Sequence, residues 1–137
     1  MANRRDLRMR RKGRFLAAVG VVLASLTIGG CSGESDEDQI QALVDEYANA
    51  LMDDDFGRAC ALFTPQELKE QEETLFGSCE SLLELANQLI GDDRLAEAKK
   101  VEEITINGDQ ARIKYPNDVL PKEAKKIDGE WLFNSAE

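Results

Sequence analysis

Three cysteines, a run of three aspartates and two tyrosines are the side chains of this 137-residue chain best equipped for chemistry. The thiols of Cys31, Cys60 and Cys79 can form a thioether, a disulfide or a metal bond. Metal ligation is the weakest reading: the chain has no histidine, and two cysteines 19 positions apart do not resemble a zinc ligand set. Asp53-Asp54-Asp55 lacks the ligand spacing of a calcium loop and reads as a solvated acidic turn. Asp54 or Asp55 could act as a general base only if it were buried against a neutral donor such as Tyr47 or Tyr115. Their place at the end of a helix in a run of acids favours exposure instead. With no catalytic signature and no cofactor motif, the sequence is expected to encode neither an enzyme nor a cofactor or metal carrier.

Cys31 takes its meaning from what precedes it. Residues 1–30 carry seven basic residues against one acid, with the bases confined to the first 14 positions. Phe15 to Ile28 is an apolar stretch of 14 residues, short of the roughly 20 needed to span a bilayer. A basic flank, a short apolar core and small residues at its end describe a signal peptide. Ile28-Gly29-Gly30-Cys31 then resembles the bacterial lipobox, with an aliphatic residue, two small residues and a cysteine. That resemblance implies cleavage between Gly30 and Cys31 and a diacylglyceryl thioether on Cys31. Two or more acyl chains give a stable anchor where one binds only marginally. An ordinary secretory signal and an uncleaved signal anchor are the competing readings. Arg4-Arg5 faintly resembles a twin-arginine export signal, so the export route stays open. With Cys31 assigned to lipid, Cys60 and Cys79 remain as an even pair in a disulfide-permissive compartment. A bridge between them closes a loop of about 20 residues.

Beyond residue 30 the chain holds ten basic and 26 acidic residues, a net charge of −16. This balance disfavours nucleic acid as a partner and, within about 8 Å at physiological salt, an anionic bilayer surface. The expected membrane contact is therefore the lipid on Cys31, at the extracytoplasmic face of the cell membrane.

The elements that must position these groups follow from periodicity. Residues 31–38 read as the lipidated cysteine and an acidic linker, and 39–137 as one domain. Ile40, Leu43, Val44, Tyr47, Ala48, Leu51 and Met52 mark a one-faced amphipathic helix. Phe56 to Phe63 suggests a short second helix. At Thr64-Pro65-Gln66-Glu67, Thr64 is the expected cap, Pro65 the first helical position and Glu67 the partner in a capping box. Leu75, Cys79, Leu82, Leu83, Ala86, Leu89 and Ile90 suggest a further helix, either continuous or entered through a turn at Gly77-Ser78, and stopped by Gly91. Residues 92–100 fit helix or loop. The period then changes to two over 101–106 and 110–115, around Asn107-Gly108. It does so again over 124–127 and 130–133, around Asp128-Gly129, giving two hairpins. Helices first and an antiparallel meander afterwards mean α+β, with the helices packed on one face of a small sheet.

Three stretches, "ALVDEYANALMDDDFGRACALFTP", "ITINGDQARIKY" and "KKIDGEWLF", resemble the nuclear-transport-factor-2-like superfamily. The layout is also similar to that of small exported actinobacterial lipoproteins. The resemblance implies a cone-shaped α+β fold, whose enzymes include ketosteroid isomerases and polyketide cyclases. Tyr47, Phe56, Phe63, Trp131 and Phe133 would then either line a pocket for a small ligand or fill the core, and the small size of the domain favours the core. Three functions follow as expectations: a non-enzymatic binding or accessory domain, a small-ligand enzyme of the isomerase or cyclase type, or a structural envelope spacer.

Overall fold

The structure, a computed structural model, describes residues 33–134. Cys31, Gly30 and the expected signal peptide lie outside the described residues. The fold is α+β: five helices followed by a four-stranded antiparallel sheet.

Helix α1 (Asp36–Met52) starts at Ser35, which shares a reciprocal capping box with Asp38. This cap draws Asp36, Glu37 and Asp38 into the first turn, where acids oppose the positive end of the helix dipole. Three residues read as linker are thus helical, so the expected linker is shorter than the sequence suggests. Helices α2 (Phe56–Cys60) and α3 (Pro65–Glu72) follow, the latter capped by Thr64 as its sequence predicts. The expected return bond to the Thr64 N–H comes from elsewhere: that N–H donates to the Phe133 carbonyl. Helix α4 (Cys79–Ile90) is entered through a turn and capped by Ser78. The ambiguous stretch after Gly91 is helix α5 (Asp92–Ala98).

Strands β1 (Glu103–Asn107), β2 (Gln110–Lys114), β3 (Glu123–Ile127) and β4 (Glu130–Phe133) form a meander in that order. The first hairpin turns one residue later than the sequence suggests. Asn107 pairs with Gln110, and Gly108-Asp109 form the loop with Gly108 at φ +66°. In the second, Asp128 (φ 52°) and Gly129 (φ 86°) both take the left-handed conformation that a two-residue type I′ turn requires. Between β2 and β3 the proline-flanked segment forms no strand; it buries Leu120 and receives the Tyr115 hydroxyl on the Pro121 carbonyl at 2.6 Å.

The core lies between α1 and one face of the sheet. Ile40, Val44, Tyr47 and Leu51 meet Ala111, Ile113, Tyr115, Ala124, Trp131 and Phe133. Helix α3 is positioned differently. Phe63 forms a parallel bridge to Phe133, with the Phe133 N–H donated to Leu62 and the Thr64 N–H to Phe133. The chain thereby passes along the β4 edge, and α3 borders the opposite, polar face. The helices are therefore not all on one side.

Helix α4 buries only part of its apolar arc. Cys79 and Leu83 are buried, but Leu75 and Leu89 are exposed. Apolar positions cover more of this helix than its neighbours can shield, and periodicity alone does not say which part of so wide an arc faces inward.

Candidate functional site

The disulfide expected from the even pair is present: Cys60 and Cys79 join the end of α2 to the start of α4, with both residues buried. It fixes the first turn of α4 against the α1–α2 corner.

The three aspartates of the acidic turn each have a structural task. Asp53 accepts from Arg58 at 3.3 Å, Asp54 from the Asn87 side-chain amide at 3.1 Å, and Asp55 caps α2 through the Arg58 N–H at 3.1 Å. Asp54 and Asp55 are exposed, and neither is brought into contact with Tyr47 or Tyr115 by any of these bonds. Arg58 also reaches Glu46 at 2.8 Å, so one guanidinium serves several carboxylates at this corner. Burial pushes both tyrosine hydroxyls well above their ordinary value, for Tyr115 with a further push from Tyr47. Both are neutral at physiological pH.

Tyr47, Phe63 and Phe133 form a buried aromatic triad. Tyr47 meets Phe63 edge-on at 5.5 Å and Phe133 at 5.1 Å, and Phe63 lies 5.8 Å from Phe133. Their edge-to-face geometry is that of a packed core. Neither concavity described below includes these side chains.

Trp131 stands apart from the triad. Its indole N–H donates to Asp36 at 3.0 Å, and the Lys126 ammonium donates to the same Asp36 oxygen at 2.6 Å. The Lys126 ammonium also lies 5.8 Å from the Trp131 ring centroid. Lys126 first, and the Trp131 indole second, hold the Asp36 carboxyl below its ordinary value. The first residue of α1 is thus pinned to the last hairpin. An acid in a polar linker gave no sign of this, because its partners lie about 90 and 95 residues on.

A concavity of about 710 Å³ lies between α3 and the polar face of the sheet. Gln66 and Glu70 form one wall, and Thr105, Gln110, Arg112 and Lys125 the floor. Several of its polar groups are already hydrogen-bonded. Gln66 donates to Glu70 at 3.0 Å, Gln71 to the buried Glu67 at 3.0 Å, and Arg112 to Glu123 at 3.2 Å. A second concavity of about 540 Å³ shares Thr105, Arg112 and Glu123 with the first. The chemistry available here is hydrogen bonding to a polar surface or ligand. Among the described residues no group of three His, Cys, Asp or Glu side chains is gathered for a metal ion. None of their helices is long and apolar enough to cross a membrane.

Comparison with protein-family models, curated proteins and solved structures yields no match for this chain.

Proposed function

We propose that this protein is a lipid-anchored lipoprotein of the extracytoplasmic membrane face, and that its α+β domain is a non-enzymatic binding or accessory module. One observation carries the anchor: Ile28-Gly29-Gly30-Cys31 follows a basic segment and a 14-residue apolar stretch too short to span a bilayer. The buried Cys60–Cys79 bridge supports it, because such bonds persist in oxidising compartments. Helices followed by an antiparallel meander are what a nuclear-transport-factor-2-like cone requires, and that assignment forms part of the same proposal.

The binding role rests on the placement of the candidate catalytic groups. Asp54 and Asp55 are exposed and occupied in holding a helix corner, while the Tyr115 hydroxyl is engaged by Pro121. An isomerase-type site needs a carboxylate facing a neutral donor inside an apolar cavity. Intact mass spectrometry of protein extracted from membranes tests the anchor. The expected species begins at Cys31, carries the mass of a diacylglyceryl group with or without an added acyl chain, and contains one disulfide. A mature chain that starts upstream of Cys31, or one without lipid, refutes the proposal. Cys31→Ala should shift the protein out of the processed membrane fraction.

A further inference from the structure

Four large apolar side chains stand in solvent on α4 and in the turn before it: Leu75 is fully exposed, Leu89 is 80% exposed, and Phe76 and Leu85 about half. Leu85 and Leu89 lie one turn apart on α4 beside the half-buried Leu82, and Leu75 and Phe76 occupy the turn that leads into the helix. The Cys60–Cys79 bridge and the buried Leu83 hold the opposite side of α4 to the core, so these leucines face outward by construction. The surrounding chain has a single sign of charge. Between Lys69 and Arg94 there are seven acids, including the exposed Glu73, Glu84, Asp92 and Asp93, and no base.

We infer that this ridge is a docking surface for a protein segment that is both apolar and basic, an amphipathic helix flanked by lysine or arginine. An apolar helical ridge packs on the apolar stripe of another helix, and the acidic rim selects a partner of positive charge. A second copy of this chain, or an anionic bilayer, meets the same rim with like charge. The location agrees. The Asn87 side-chain amide donates to the Leu51 carbonyl, so α4 meets the C-terminal end of α1, and a helix of 17 residues puts it about 25 Å from Ser35. On the anchor reading proposed above, on which this last step alone rests, the ridge faces away from the membrane.

The chain as the cell processes it, in phosphatidylcholine nanodiscs, should bind a fluorescent leucine–lysine amphipathic peptide and not its leucine–glutamate counterpart, with empty discs subtracted. Leu85→Asn with Leu89→Asn should weaken binding at least about tenfold, with melting lowered by only a few degrees, as two poorer helix formers at largely exposed positions require. Glu84→Lys with Asp93→Lys should reverse the preference between the peptides. Equal binding by parent and leucine variant overturns the inference, as does equal binding of both peptides. Loss of a dimer in sedimentation, or depth quenching of a fluorophore at position 89 by bilayer quenchers, would assign the ridge to self-association or to lipid and overturn it too. A chain that fails to enter the discs reports on the anchor alone. The titration on the free protein then decides the docking surface.

Discussion

Removal of the Cys60–Cys79 bridge has an effect that can be worked out from the fold. The bridge closes a loop of about 20 residues, and the chain-entropy model makes that constraint worth about 3 kcal/mol. A domain of this size shifts in melting temperature by roughly 4–8 °C per kcal/mol, so Cys60→Ala with Cys79→Ala should lower Tm by about 12–24 °C. The loss should be concentrated in the free energy of the unfolded chain, because the buried pair contributes little side-chain volume of its own. The urea m-value should therefore rise as the unfolded ensemble expands. Circular dichroism melts of the parent, the double variant and the reduced parent give the three numbers, and reduction should reproduce the variant. Local opening should follow the same map. Amides of α4, whose first turn the bridge holds, should lose exchange protection before those of β2, which lies in the centre of the core. A drop in Tm of less than about 4 °C, with m unchanged, would refute the reasoning and mean that packing of Leu83 alone holds α4.

Two further outcomes follow from single contacts. Asp36 has its folded-state value held below the ordinary aspartate value of 3.8, so its contribution is complete above that value and is lost as pH falls through the lower, folded one. Trp131 is the only tryptophan in the chain and donates to Asp36, so its emission should change in acid below pH 3.8, and Asp36→Asn should remove that step. Thr64→Ala should cost about 1–2 kcal/mol in urea unfolding, because Thr64 is buried, accepts from the Glu67 N–H and donates to Asn134 at 2.9 Å; Thr64→Ser should recover most of it.

Features encoded locally were readable in the sequence. The apolar spacing of α1, the cap at Thr64 and the Asp128-Gly129 turn each need only neighbouring residues, and each forms as its local chemistry dictates. Features set by distant partners were not. Phe63 joins the β4 edge through backbone bonds to a residue 70 positions away, and no pattern at Phe63 encodes that. That single crossing carries α3 to the polar face and creates the polar concavity, so the candidate binding surface was equally hidden. The exposure of Leu75 and Leu89 was hidden for a related reason. Their spacing matches a core face, but the disulfide and Leu83 decide which arc of α4 is buried.

On the proposed anchor, the Asp36 contact would change what a short tether can do. Of the stretch read as linker, Ser32 to Ser35 is all that remains before α1, and four residues reach at most about 14 Å. With lipid on Cys31, the Asp128-Gly129 hairpin, which meets α1 through Lys126 and Trp131, would be held near the headgroups. A large partner could approach that end only by displacing the bilayer. The domain's negative charge acts in the same direction, since repulsion from anionic lipid is strongest within a Debye length of the surface and favours orientations that keep the acid-rich α4 region outside it. On the proposed anchor, tether length, the hairpin contact and charge would converge on one display geometry. In that geometry the polar cleft would lie along the side of the sheet, and the exposed Leu85 and Leu89 of α4 about one α1 length from the lipid.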